Sequence, residues 1–219
     1  EIPKQLPVMT LRGIVLFPKA MMPLRIFEER YRHMLDEVLS STRIFGIVCE
    51  RENVSEEEAH MEHPFDVATA GLIRVSKKHE DGTSFVLLQG IKRVKVRSIS
   101  QELPYRIIET EEIESIRDDA SSNLRKEISQ GLFLNKLIGG EVTDDMLDFL
   151  NPLDDDDAFV DLAAFTLCKQ TLRKQAMLEV QHLSKRASML LTDLHRENDR
   201  LATIKKMMSQ SDEEISDQN

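Results

Sequence analysis

Residues 6–35 read LPVMTLRGIVLFPKAMMPLRIFEERYRHML, and a change of rhythm inside this stretch decides how the chain folds. Pro7, Pro18 and Pro23 remove backbone donors and hold the chain extended. Between them lie Ile14, Val15, Leu16, Phe17, Met21, Met22, Leu24, Ile26 and Phe27. From Glu28 the period lengthens: Tyr31, Met34, Leu35, Val38 and Leu39 recur at helical spacing. The stretch therefore predicts a short strand at 6–10, a proline-bounded loop, a strand at 21–26 and an amphipathic helix over 28–40.

Working outward, residues 43–50 form a compact apolar run of strand length. Residues 51–63 are charged and aperiodic, which predicts a loop with one helical turn at 56–59. Two apolar runs, 65–78 and 83–99, flank Glu80-Asp81-Gly82, and Asp-Gly between such runs signals a hairpin because Gly82 tolerates positive φ. Gly90 marks a bulge or sharp bend in the second arm, and residues 105–113 give one more strand. Six or so short strands with one helix predict a small, strongly twisted sheet or partly closed barrel. After 115–122 glycine and proline thin out and the helical period takes over, predicting helices at 122–137, 143–150, 157–170 and 172–209. Thr143 and Asp154–Asp157 supply capping oxygens and negative charge at helix starts, and Gly139-Gly140 a helix stop. The fold class expected is α+β: a β-rich domain over 1–116, a helical bundle over 117–209 and a polar tail over 210–219.

The final helix carries a heptad seam. Ala187, Leu194, Leu201 and Met208 are seven apart; Leu183, Leu190 and Ile204 form a second row that Glu197 interrupts. Its first half can pack on its own bundle while its second half projects into solvent, or Leu194, Leu201, Ile204 and Met208 can form a partner face for self-association.

The net charge of −10 argues against nucleic acid, whose binders are basic. Cys49 and Cys168 lie far apart in apolar settings, as buried thiols of a reducing compartment do. No apolar run approaches the roughly 18 residues of a membrane span and no signal peptide is visible, so a cytoplasmic protein is expected. The chain opens at Glu1 rather than Met, as a trimmed or processed polypeptide would.

The sequence has no G-x-x-x-x-G-K-[ST] phosphate loop and no G-x-S-x-G elbow. No catalytic, cofactor or metal residue is assigned, and an enzyme is not expected. His60 and His63 at i, i+3 beside Glu57 and Glu58 read as exposed loop histidines, because one short pair lacks the converging ligands of a metal site. Lys77, Lys78, Lys92, Arg93, Lys95 and Arg97 make the hairpin locally basic. They read as a guard against strand-edge pairing or as a surface for an acidic protein or RNA, although Phe85 is the only Phe, Tyr or Trp between Lys77 and Arg97 for base stacking.

Four stretches taken together resemble the N-terminal, substrate-binding domain of the Lon protease family: the opening 6–35; FGIVCE at 45–50; VATAGLIRVSKKHEDGTSFVLLQGIKRVKV at 67–96, with its glycine-led strand, D-G hairpin and L-x-G-x-x-R-x-x-V; and an all-helical second half ending in one long helix. The resemblance covers nearly the whole chain. It implies a PUA-like twisted pseudo-barrel followed by a helical bundle, and a non-catalytic module that binds unfolded or partner polypeptides in protein quality control. Two alternatives stay open: an N-terminal fragment of a complete ATP-dependent Lon serine protease, and a PUA-like RNA-binding protein. The polar stretch 210–219 favours a natural C-terminus over a severed coil. For peptide binding the residues of choice are Phe17, Met21, Met22 and Met61. Adjacent methionines cannot both face inward on an extended strand, and methionine suits varied apolar partners.

Overall fold

The computed structural model describes residues 1–52 and 61–216, the side chains of 211–216 aside. The helical turn expected at 56–59, and His60, lie outside the described residues. The fold is α+β, and it divides into two compact units, Glu1–Ser115 with Asp161–Gln181, and Ile116–Val160 with His182–Asn219.

The first unit is a six-stranded sheet with one helix inserted: β1 (Gln5–Leu11), β2 (Met21–Ile26), α1 (Glu29–Leu39), β3 (Ile44–Cys49), β4 (Val67–Lys78), β5 (Ser84–Gln101) and β6 (Ile107–Ile113). The strand order is β2-β5-β4-β3-β1-β6, and β5 also pairs with β6. That last pairing closes β1, β3, β4, β5 and β6 into a ring, parallel only between β1 and β3. Closure depends on the length of β5. Its first residues, Ser84–Gln89, pair with β2, whereas Arg93–Gln101 pair with β6. Between these segments the register against β4 slips from Ala70↔Lys92 to Gly71↔Gly90, so Ile91 is bulged.

Gly90 also meets the loop before β2. Lys19 N–H donates to the Gly90 carbonyl (2.8 Å) and Gly90 N–H to the Ala20 carbonyl (2.9 Å). A Cβ at Gly90 would stand 2.1 Å from the Phe17 carbonyl oxygen, so close backbone approach is what demands glycine there. The ring is filled by Leu6, Val8, Val48, Ala68, Ala70, Val94 and Ile108, each with no accessible surface. One small residue pair, Ala68 and Ala70, lets strands from both sides approach in so narrow a ring. Helix α1 buries Tyr31, Met34, Leu35 and Val38 at the spacing its sequence predicts.

Residues 161–181, which periodicity groups with the helical half, belong with the sheet. Asp161 and Arg93 form a bidentate pair (2.6 and 2.7 Å), and Arg93 Nε donates to the Leu178 carbonyl. Gln175, 1% exposed, donates to the Val67 carbonyl.

The second unit contains α2 (Ser121–Leu137), α3 (Asp144–Leu150) and α6 (Leu183–Ser216); α4 (Asp156–Leu167) starts in it, and α5 (Thr171–Glu179) belongs to the first unit. Thr143 caps α3 by accepting from Met146 N–H, and Gly139 ends α2 at φ +82°. Gly131 lets Leu194 of α6 press onto α2, where a Cβ would come within 2.7 Å of Leu194 Cδ2. A buried asparagine pair locks that contact: Asn135 Nδ2 donates to Asn198 Oδ1, and Asn198 Nδ2 to the Gly131 carbonyl. The single helix expected over 172–209 is two. Residues 180–182 break it without glycine or proline, because His182 bridges Ile116 and Leu183 N–H donates to the Ile116 carbonyl. The second helix then runs on past 209 to Ser216.

Candidate functional site

The burial of β2 alternates strictly, exposed at Met21, Pro23 and Arg25, buried at Met22, Leu24 and Ile26. Met21 and Met22 therefore point to opposite faces, as an extended strand requires. Two of the four residues expected to contact peptide are unavailable. Met22 packs in the core, and Phe17 has no exposed surface, lying under the Arg93 guanidinium (5.9 Å) and edge-on to Phe165. The prolines around Phe17 shape a loop that turns inward to meet Gly90.

Met21 and Met61 are exposed, on different supports. Met61 is held by its backbone: buried Arg106 of the segment entering β6 donates to the carbonyls of Met61 and Glu62 and to Thr10 Oγ1. Glu62 is gripped by Arg30, whose two terminal nitrogens reach its two oxygens at 2.8 and 2.9 Å. That hydrogen bond holds the Glu62 carboxyl below its ordinary range.

Around Met21 the register assembles a surface. Paired residues share a face, so Met21↔Gln89, Pro23↔Leu87 and Arg25↔Phe85 on β5 continue to Leu72, Val75 and Lys77 on β4. This is the face of β4 that carries Ala68 and Ala70 into the barrel; past the ring it runs uncovered. Met21 and Phe85 are each 40% exposed and Val75 47%. Val75 reaches this face because the register slips between Ile73 and Val75, which bulges Arg74. Val75 and Phe85 escape sequence reasoning: plain alternation from buried Ile73 places Val75 on the buried face, and only the bulge at Arg74 turns it outward. The pair Arg25↔Phe85 could be found once β2 and β5 are known to pair.

The cations of the hairpin sort by partner. Lys92 pairs with Glu112 and Glu114, Arg97 with Glu111, Arg93 with Asp161 and Lys78 with Asp36. Arg74 hydrogen-bonds the neutral Gln89, and Arg25 reaches Asp81 only at 4.0 Å. A continuous cationic track of the kind nucleic acid follows is thus broken up by carboxylates. Among the described residues no group of three His, Cys, Asp or Glu could hold a metal ion, and no helix is long and apolar enough to cross a membrane. His63, within hydrogen-bonding reach of Arg51 through its carbonyl, has its Nε2 buried.

On α6 the seam divides. Ala187, Leu190 and Leu194 are buried, Leu201 is half-buried, and Ile204 and Met208 are exposed. Leu194 is thus taken by α2 and does not belong to a partner face.

Comparison with known proteins fits this architecture. The N-terminal domain of a Mycobacterium avium complex Lon protease superposes with a TM-score of 0.70 at 17% identity, covering 88% of this chain and 98% of that one. A Lon N-terminal domain protein from Xanthomonas campestris gives 0.63 at 19%, covering 86% and 97%. By sequence, the Lon protease of Escherichia coli (strain K12) is 28% identical over 96% of this chain and 28% of its own length. That of Haemophilus influenzae is 30% identical over 93% and 26%. The chain thus spans little more than a quarter of the curated relatives it matches. The family described as the ATP-dependent protease La (LON) substrate-binding domain matches residues 5–196, and this chain belongs to that family.

Proposed function

We propose that the chain is a non-catalytic module that binds unfolded or partner polypeptides in the service of proteolysis. The observation that carries this reading is family membership over residues 5–196, in a family named for substrate binding. The uncovered face around Met21, Val75 and Phe85 supports it as a place where apolar side chains of a client can settle. Contacts of this size are individually weak, and affinity rises when several copies act together. The exposed end of α6, with Ile204 and Met208, is a candidate for bringing copies together. Cys49 and Cys168, not joined in a disulfide, suit a reducing cytoplasm.

The test compares binding of one reporter protein in its denatured, alkylated form and in its native form, by fluorescence anisotropy. Binding of the denatured form alone is expected; equal, negligible binding to both forms refutes the reading. A second reading, that the native polypeptide continues into ATPase and peptidase modules, rests on the relatives' length. It leaves the role of these residues unchanged, and the reading frame downstream of Asn219 decides it.

A further inference from the structure

Among the described residues each strand of the ring has two strand neighbours. Among the described residues β2 pairs with β5 alone, so its other edge is open. The phase of its hydrogen bonds follows from Gly90, whose N–H donates to the Ala20 carbonyl. In an antiparallel pair, residues alternate between bonding the neighbour and facing away. Met22, Leu24 and Ile26, opposite Leu88, Val86 and Ser84, therefore bond β5. Met21, Pro23 and Arg25 turn their backbone groups to the open edge. Pro23 sits where its missing N–H costs the sheet nothing.

Beside this edge lies the bare apolar face of Met21, Leu87, Val75 and Phe85. The strands beneath it are one-sided in charge, although Asp81 of the turn between β4 and β5 stands 4.0 Å from Arg25. β2, β4 and β5 contain no Asp or Glu at all, in a chain with 39 of them. On this face Arg25, Arg74 and Lys77 rim the apolar residues, and Arg74 is hydrogen-bonded to the neutral Gln89. Resting on the polypeptide-binding reading above, we infer that the client is an extended segment that adds as a strand to the open edge of β2. It bonds the N–H and C=O of Met21 and Arg25 and the carbonyl of Pro23, with alternate apolar side chains on the bare face and acidic residues toward Arg25, Arg74 and Lys77. Each of these elements selects one feature of the guest: the edge selects extended backbone, the face selects apolar alternation, the rim selects negative charge. At Pro23 the guest carbonyl finds no donor, so the added strand is held loosely and released readily.

The probe is a labelled peptide of about ten residues, Leu alternating with Thr between terminal aspartates, titrated into the full chain. Three partners are compared with it: the same peptide N-methylated at alternate amides, in both phases; the peptide with terminal lysines; and the denatured reporter. Strand addition predicts that one N-methyl phase weakens binding about tenfold or more while the other does not. It also predicts that terminal lysines weaken binding several-fold, that Met21→Asp does the same with an unchanged melting curve, and that the Met21 and Arg25 amides slow in hydrogen exchange when peptide is added. If both N-methylated peptides bind like the parent and those amides exchange unchanged, strand addition is overturned while polypeptide binding stands. If neither peptide nor denatured reporter binds, both fall. If terminal lysines bind as well as aspartates, the acidic preference is overturned and the guest is selected by backbone and apolar contacts alone.

Discussion

Removing Asp161 should loosen the segment 161–181 from the barrel at a cost that the geometry fixes within a narrow range. The Arg93 and Asp161 side chains are 4% and 3% exposed, joined by two charge-assisted bonds of 2.6 and 2.7 Å, with Arg93 Nε committed to the Leu178 carbonyl. Asp161→Ala leaves a buried guanidinium without its counter-charge, and breaking a buried pair in this one-sided way costs about 3–5 kcal/mol. Replacing both partners with apolar residues, Arg93→Met with Asp161→Leu, should recover most of that loss, because the desolvation of two charges is relieved together. The assay is urea unfolding with two signals. The chain has no tryptophan, and its two tyrosines, Tyr31 and Tyr105, both belong to the sheet unit. Tyrosine fluorescence therefore follows that unit, whereas ellipticity at 222 nm is dominated by helices, and divergence of the two exposes a departure from two-state unfolding. With a slope of about 2 kcal/mol per molar urea, the tyrosine midpoint of Asp161→Ala should fall by about 2 M. A loss below about 1 kcal/mol in Asp161→Ala, or a double variant as weak as the sum of the singles, would refute the reasoning.

Gly90→Ala should cost about 2–3 kcal/mol in the same tyrosine signal, since its Cβ meets the Phe17 carbonyl oxygen at 2.1 Å and the two bonds tying Lys19 and Ala20 to Gly90 must stretch; an unchanged midpoint would show that the loop adapts freely. Glu62 gives a pH effect of defined sign. Its folded pKa lies below the ordinary 4.5, held there first by the Arg30 hydrogen bond, so its stabilisation is complete above 4.5 and disappears as pH falls through the lower folded value. Glu62→Gln should flatten the acid limb of stability against pH below about 4.5; parallel limbs would remove Glu62 from the account. Truncation after Ala202 deletes Ile204 and Met208 yet keeps Leu194 and Asn198 on α2. If the exposed end of α6 joins copies, sedimentation should show an association in the full chain that the shortened chain lacks, at equal ellipticity per residue.

How much of this was legible in the sequence depended on the range of the interaction. Local rules worked: β2 occupies 21–26 as its prolines and alternation predict, α1 buries the residues its period marks, and Gly82 takes φ +81° in the hairpin. Long-range pairings did not show. Arg93 reads as one cation in an alternating run, and its partner is 68 residues away on a helix that periodicity assigns to the other half. Phe17 lies between prolines like a loop-tip residue, and only the approach of Gly90 and Arg93 explains its burial. The break at 180–182 carries no breaker residue because its cause is an external partner, the backbone of Ile116. For the site the same rule held: opposed faces for Met21 and Met22 followed from strand geometry, but which of the two was bare, and that Val75 and Phe85 stood beside it, required the register and its bulge.

The open edge of β2 can be weighed against its simplest explanation, protection from aggregation. Natural sheets guard exposed edges with proline and cations, and Pro23 and Arg25 serve that purpose here. A guard alone, however, does not account for what lies beside it. An edge designed only to repel neighbours gains nothing from 40% exposed Met21 and Phe85 and 47% exposed Val75 on the adjoining face, which raise the hazard that the guard lowers. Guard and patch together make physical sense when pairing must occur but must not persist. Pro23 denies one donor to any added strand, the cations exclude basic partners, including the basic edge of a second copy, and the apolar face rewards segments that expose alternating apolar residues, as unfolded chains do. Each contact remains weak in a single copy, and retention of a client then depends on how many copies it meets along its length.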